Sequence, residues 1–274
     1  MSADSKEQKH IQTMRNMTKQ FKNGVIVAVE NSNHAVIAEK VGALGVEVVV
    51  NAENVKKTAA ENQVVTTDPA IVRDVLDSIV LPVIARVRQG HFIEAEVMEA
   101  SGANAIDEHE VQTSNKDVGI PMDKKSYKIP IFGGAANLKE ALTAINQGAS
   151  LIRTTYKEKY DVPHIEKTVQ ALNKILNDIN DLVEGKVEIA SLGADLEELA
   201  KDVVANKKLP VPLFAEGGIV LPSDAAMMMD LGADGVITSS LVFHVPNPDR
   251  RIWSIVKAVQ NFNDPSKLIK YVEY

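Results

Sequence analysis

Cysteine is absent from this chain, aromatic residues are scarce, and no long apolar run occurs in it. Without cysteine among its 274 residues, the protein has no disulfide framework, thiolate nucleophile or cysteine-based zinc site. No stretch approaches the roughly eighteen consecutive apolar residues of a membrane-spanning helix. Because only 4% of the residues are aromatic, the core must consist mainly of Val, Ile, Leu, Ala and Met, which suits parallel strands buried on both faces.

The charge distribution also excludes some functions. The formal net charge of −7 is not offset by any basic block, which argues against general nucleic-acid binding. The segment Met1–His10 is polar and mixed in charge, unlike a secretory signal peptide. We therefore expect a cytoplasmic protein whose N-terminal segment, residues 1–12, is flexible.

Short aliphatic runs alternate with helical patterns along nearly the whole chain. Eight runs are predicted to be strands: Val25–Val29, Val46–Val50, Pro82–Ala85, Ala105–Asp107, Ile129–Phe132, Leu151–Thr154, Val211–Ala215 and Gly235–Thr238. Eight strand–helix units in about 250 residues are typical of a (β/α)8 TIM barrel. The alternative, an open doubly wound sheet, would usually have a glycine-rich turn after its first strand, where this chain has Glu30-Asn-Ser-Asn33.

The predicted barrel forms one domain over residues 1–274. Its regular rhythm is broken around residues 156–210, where two helical patterns precede the seventh strand. We expect an extra helical segment there and no second domain.

Six segments of the chain resemble those of a known enzyme family, and they occur in the family's order. They are Gly90–Glu96, Ile106–Glu110, Asn137–Leu142, Gly148–Thr154, Gly217–Ala225 and Leu231–Val236. The family is the synthase subunit of pyridoxal 5′-phosphate synthase, PdxS/Snz, and the resemblance extends from about Thr13 to Pro265. It implies a (β/α)8 barrel and a subunit that joins ribose 5-phosphate, glyceraldehyde 3-phosphate and ammonia. A glutaminase partner supplies the ammonia in that family, whose members form hexameric rings that stack into dodecamers.

The resemblance also implies that two lysines should form covalent bonds with the sugar substrate. This chain has Arg86 at the first position and Thr155 at the second. A guanidinium stays protonated and cannot form an imine at neutral pH, and a threonine hydroxyl cannot form one either. Lys157 lies two residues beyond Thr155 and is the one conceivable replacement amine, because side chains alternate along an extended segment.

Other positions of the implied active site differ as well. Ala28 stands where the family has an aspartate that handles protons. Asp107, Glu110 and Arg153 are retained, and we expect Arg153 to pair with a carboxylate of the Asp107–Glu110 segment.

The phosphate-binding loops implied by the resemblance have lost most of their glycines. Residues 155–161 contain no glycine, and Glu61-Asn62 replaces another glycine-rich stretch. After the seventh strand Gly217 and Gly218 remain, but Glu216 replaces a small neutral residue and is expected to repel a phosphate. Ser239 and Ser240 are the remnants of a third loop. Bulky side chains at such positions block close approach of the backbone to a phosphate.

These differences predict a pseudoenzyme: a non-catalytic PdxS/Snz-like barrel that joins active paralogues in homomeric or mixed rings and modulates vitamin B6 synthesis. No cofactor is expected, and no metal site either, because the histidines are scattered. The glutaminase is a second possible partner. Two alternatives stay open, namely a divergent active synthase that uses Lys157, and a barrel that binds another ligand through Arg86, Arg153 and the acidic residues.

Overall fold

The structure, a computed structural model, describes residues 12–50, 66–109, 122–155 and 164–271. Eight parallel strands form a closed barrel in which each strand pairs with the next and the eighth pairs with the first. The predicted (β/α)8 fold is confirmed. The strands are β1 Val25–Val29, β2 Gly45–Val48, β3 Val83–Arg88, β4 Ala105–His109, β5 Ile131–Ala135, β6 Leu151–Thr154, β7 Leu213–Glu216 and β8 Gly235–Thr238.

Helices surround the barrel. They are α1 Ser32–Lys40, α2 Pro69–Ser78, α3 Phe92–Ala100, α4 Leu138–Asn146, α5 Ile165–Val183, α6 Glu197–Asn206, α7 Pro222–Leu231, α8 Pro248–Gln260 and α9 Pro265–Leu268. Residues 12–19 are helical as well. None of the helices in the described ranges is long and apolar enough to cross a membrane.

Local sequence signals explain several element boundaries. The Asp68 side chain caps the first turn of α2, where Pro69 occupies a position that needs no N–H donor. Gly148 and Gly232 have φ values of +104° and +114° and end α4 and α7 in the left-handed conformation that glycine tolerates.

Three predicted strands begin later than the aliphatic runs indicated. The runs at Pro82, Ile129 and Val211 become strands that start at Val83, Ile131 and Leu213. Each of these strands starts immediately after a proline, which lacks the N–H group that a strand ladder requires. The extra helical segment is present in the described part of its range, as the long α5, two short 3-10 turns at Ile189–Leu192 and Ala194–Leu196, and α6.

The barrel interior has an apolar layer below a charged layer. Gly235 lets the large Phe214 ring into the lower layer, since a Cβ on Gly235 would lie 2.3 Å from the ring. The apolar layer consists of Phe21, Ile26, Ile84, Ala105, Phe132, Leu151, Phe214 and Ile237. Because alternate residues of a strand share a face, Arg86, Asp107, Arg153 and Glu216 lie one layer higher, toward the C-terminal ends of the strands. That end is where (β/α)8 enzymes carry their active sites.

Candidate active site

Arg86, at the position of the first expected lysine, is held by carboxylates from two other strands. Its Nε donates to Glu47 Oε1 over 2.6 Å, and its Nη2 donates to Glu216 Oε1 over 2.5 Å. Asp107 Oδ2 lies 3.7 Å from the same Nε. The guanidinium of Arg86 is therefore already paired with anionic groups of the chain itself.

Arg153 occupies the opposite side of the same layer and is 1% exposed. Its Nε donates to Asp107 Oδ1 over 2.7 Å and lies 3.1 Å from Glu216 Oε2. Its Nη2 donates to the backbone oxygen of Glu108. The expected pairing of Arg153 with a carboxylate of the fourth strand is present, and Asp107 is the partner. Together, Glu47, Arg86, Asp107, Arg153 and Glu216 form the charge cluster.

Burial and charge act in opposite directions on the pKa values of the charge cluster. Burial alone would lower the pKa of Arg86, but the carboxylates of Glu47 and Glu216 raise it above its ordinary value. Burial would raise the pKa of Glu216, yet Arg86 and Arg153 lower it. For Asp107 burial prevails over the attraction of Arg153, and its pKa rises to about 7. Arg86 is thus fixed in the charged form, which has no nucleophilic amine.

Glu47 was missed by the sequence analysis, although it completes the cluster. It is 1% exposed, inside a strand that otherwise contains only glycine and valine. Its Cα register partner on β1 is Ala28, the position at which the resemblance implies an aspartate. One acidic residue within a buried aliphatic strand was the available signal. The carboxylate at this level of the barrel lies on β2 and not on β1.

The seventh strand ends one residue later than predicted, at Glu216 instead of Ala215. The side chain of Glu216 contacts Arg86 and Arg153, and its expected repulsion of a phosphate stays a prediction. Its backbone is fixed by Thr154, whose hydroxyl bonds to both the N–H and the oxygen of Glu216. The side chain therefore neutralises the two arginines inside the barrel.

Thr155, at the second expected lysine position, directly follows β6. It is 8% exposed, and its N–H donates to the oxygen of Ala135. The other candidates of this region, Lys157 and Glu110, lie outside the described residues, as do residues 156–161 and Glu61-Asn62. Among the described strands, none contains a lysine.

The remnants of the phosphate loops make contacts within the chain. The Ser240 hydroxyl donates to Glu30 Oε1 over 2.9 Å, and the Ser239 hydroxyl accepts from the N–H of Leu241. Gly217 and Gly218 keep positive φ values, and the oxygen of Gly217 accepts from Thr168. The Ser240 hydroxyl thus donates to the Glu30 carboxylate the hydrogen bond that a phosphate oxygen could otherwise accept.

One lysine is buried near the barrel but is tied to a carboxylate. Lys124 is 4% exposed, and its Nζ lies 2.5 Å from Glu108 Oε2 and donates to Gln147. Glu108 also accepts from the N–H of Gly90. Since Asp107 and His109 face the interior, Glu108 between them faces away from it. Lys124 therefore links β4 to the end of α4 and does not project into the charge cluster.

Ligand atoms of Asp107, His109 and Glu216 lie within 4.8 Å of one another, close enough to share a metal ion. His109 Nε2 is 3.7 Å from Glu216 Oε1. Both carboxylates, however, already pair with guanidiniums at 2.5–3.1 Å, and a cation placed among them would meet two positive charges. In this arrangement the arginines take the place that a metal ion would need.

The sequence is similar to a well-defined set of proteins. The model of the SOR/SNZ family matches residues 10–216. A pyridoxal 5′-phosphate synthase subunit PdxS from Clostridium botulinum (strain Langeland) is 36% identical over 271 residues, which are 97% of this chain and 92% of the relative. The PdxS of Caldanaerobacter subterraneus is 38% identical over 94% of this chain and 89% of its own length.

A third relative, PdxS of Methanosarcina mazei, is 37% identical over 93% of this chain and 84% of its own length. The family match, the identity along nearly the whole chain and the closed barrel all agree with the resemblance found in the sequence. The chain belongs to the SOR/SNZ family, the family of the PdxS subunits of pyridoxal 5′-phosphate synthase.

Proposed function

We propose that this chain is a non-catalytic PdxS-like subunit that associates with active PdxS subunits and modulates vitamin B6 synthesis. The main support for the proposal is that Arg86 is charged and ion-paired. Its guanidinium occupies the first lysine position and is bound by Glu47 at 2.6 Å and by Glu216 at 2.5 Å. A protonated guanidinium between two carboxylates cannot attack a sugar carbonyl.

The rest of the pocket supports the same proposal. Thr155 has no amine, Ala28 has no carboxylate, and Glu30 accepts the hydroxyl of Ser240. A phosphorylated sugar entering the barrel would have to displace internal ion pairs that are largely shielded from water, which is expensive. The barrel fold is retained, and the surfaces through which PdxS relatives act as subunits can persist after catalysis is lost.

Co-expression tests whether this chain associates with active PdxS subunits. The chain is co-expressed with an active PdxS subunit from the same organism, and the complexes are weighed by native mass spectrometry. We expect particles that contain both chains, with a ring or double-ring stoichiometry; separate homomeric species alone would reject the association. Addition of the glutaminase to the same particles tests whether that partner still docks.

The alternative of a divergent active synthase rests on Lys157. Reduction by borohydride in the presence of ribose 5-phosphate distinguishes the two functions, because only an imine becomes a stable covalent adduct. A mass increase on this chain alone, located on a peptide that contains Lys157, would favour the synthase.

A further inference from the structure

We propose that the charge cluster is a proton-binding site, in which the buried Asp107 carboxyl takes up a proton that offsets the excess of carboxylates. This inference concerns the chemistry of the cluster and does not depend on the proposed pseudoenzyme role.

The charge cluster contains more carboxylates than guanidiniums. Among the described residues these are Glu47, Asp107 and Glu216 against Arg86 and Arg153. The partly exposed His109 lies at the edge of the cluster, 3.7 Å from Glu216 Oε1. The three carboxylate side chains are between 0% and 12% exposed. An unbalanced negative charge in such a place is costly, and a carboxyl group avoids the cost by binding a proton.

Three carboxylate oxygens of the cluster, Asp107 Oδ2, Glu47 Oε2 and Glu216 Oε2, are buried without a hydrogen-bond partner. Asp107 and Glu47 belong to the two strands that flank β3, and both side chains face Arg86 Nε, at 3.7 Å and 2.6 Å for their nearest oxygens. Carboxylate oxygens cannot satisfy one another, because all are acceptors. A proton on Asp107 Oδ2 turns one of these acceptors into a donor.

The surroundings of Asp107 indicate that it is the group that takes the proton. Asp107 faces Glu47 from β2, Arg86 from β3, His109 from its own strand, Arg153 from β6 and Glu216 from β7. Guanidiniums do not release protons at accessible pH. Burial raises the pKa of Asp107, Arg153 opposes the rise, and Glu47 and Glu216 add to it, so that the value reaches about 7.

The consequence is measurable as proton linkage. An aspartate in the unfolded chain releases its proton near pH ~4, whereas the folded protein keeps it up to about pH 7. Stability from this group is therefore fully present below the unfolded pKa and is lost as the pH rises through the folded pKa. Each pH unit in this window reduces the folding equilibrium constant by up to about tenfold.

The experiment compares urea unfolding of the wild type and Asp107→Asn from pH 5 to 9. Asparagine has nearly the shape of the protonated acid and cannot titrate. We expect the folding constant of the variant, relative to the wild type, to rise by up to about tenfold per pH unit until pH 7 and then to level off. The matched control Glu198→Gln, which removes an exposed carboxylate of α6, leaves the ratio constant. A constant ratio for Asp107→Asn would overturn the proposal.

Two further measurements remain informative if Asp107→Asn does not fold. Infrared spectroscopy of the wild type should show a protonated carboxyl band at pH 6 that disappears at pH 9. Removal of the Glu47 charge by Glu47→Gln should move this transition to lower pH. Absence of the band in the wild type would overturn the proposal, and so would a stoichiometric metal ion whose removal by chelation abolishes the pH dependence.

Discussion

Arg86 and Glu216, 130 residues apart in sequence, meet inside the barrel with Nη2 and Oε1 separated by 2.5 Å. The two residues occupy positions at which the family resemblance implies a lysine and a small neutral residue. Arg86 also pairs with Glu47, and Glu216 also lies 3.1 Å from Arg153, so each residue has a second partner in the same layer. Together they form an ion pair, so the altered positions of this pocket fit one another.

Removal of Glu216 is expected to destabilise the barrel. Glu216→Gln leaves Arg86 with Glu47 and Arg153 with Asp107, but takes one carboxylate from each guanidinium. We expect a loss of about 1–3 kcal/mol in the free energy of unfolding, the usual effect of leaving a buried polar group without its partner. Urea unfolding at pH 7 measures it. Glu184→Gln, which breaks an exposed pair with Lys186, is the matched control and should change stability by no more than about 0.5 kcal/mol.

The pH dependence of the same variant has a definite sign. The pKa of Glu216 is lowered in the folded state by Arg86 and Arg153, against the effect of burial. Its contribution is therefore present above the unfolded pKa of about 4.3 and is lost as the pH falls through the lower folded value. Measured in an Asp107→Asn background, in which the Asp107 proton cannot contribute, the stability difference caused by Glu216→Gln should be constant from pH 7 to about pH 5 and shrink below that. A difference that shrinks already between pH 7 and pH 5 would contradict this assignment.

Restoring the aspartate of β1 is expected to be harmful in this chain. Ala28 is 3% exposed, and its register partner Glu47 is 1% exposed. Two carboxylates on adjacent strands about 5 Å apart repel each other by roughly 3 kcal/mol at an effective dielectric constant of ~20. We expect Ala28→Asp to be less stable than Ala28→Asn, a control of almost equal volume, in unfolding experiments at pH 8. In a Glu47→Gln background the difference should become smaller; if it does not change, Glu47 is not the cause.

The buried pair of Lys124 and Glu108 is expected to be structural. Lys124→Ala leaves the Glu108 carboxylate buried without its cation, although the Gly90 N–H still donates to it. The loss should approach the roughly 3–5 kcal/mol seen when one partner of a buried ion pair is removed. Lys128→Ala, at an exposed position three residues before β5, should be nearly neutral. Thermal unfolding of both variants provides the comparison, and equal midpoints would contradict the structural role.

Sequence alone predicted the barrel because eight aliphatic runs and their intervening helices leave a periodic pattern. It could not place the first residue of three strands exactly. Each of these strands begins only after a proline (Pro82, Pro130 or Pro212), and the hydrophobic pattern does not show this delay. The sequence identified Arg86 and Glu216 as changed residues but not as partners. β3 and β7 are not neighbours in the sheet, and their side chains meet only because the whole sheet closes into a barrel. The sequence of either strand alone does not show this contact.

The contact of Glu47 with Arg86 could not be predicted from the sequence either. In the sequence it is one polar residue in an apolar strand, and nothing nearby indicates what it contacts. The closed barrel brings it within 2.6 Å of Arg86 Nε, and only then does its burial have an electrostatic explanation. The charge balance of the interior is thus a property of the tertiary structure.

Covalent trapping with borohydride shows whether this barrel forms an imine with the sugar phosphate. The wild type, an Arg86→Lys/Thr155→Lys variant and an active PdxS subunit as positive control are each incubated with ribose 5-phosphate, reduced with borohydride and weighed intact by mass spectrometry. We expect an adduct on the active subunit and none on the wild type. We also expect none on the double variant, because a lysine at position 86 would be held in its charged form by Glu47 and Glu216. A stoichiometric adduct on the wild-type chain would contradict the claim that this barrel has lost its imine chemistry.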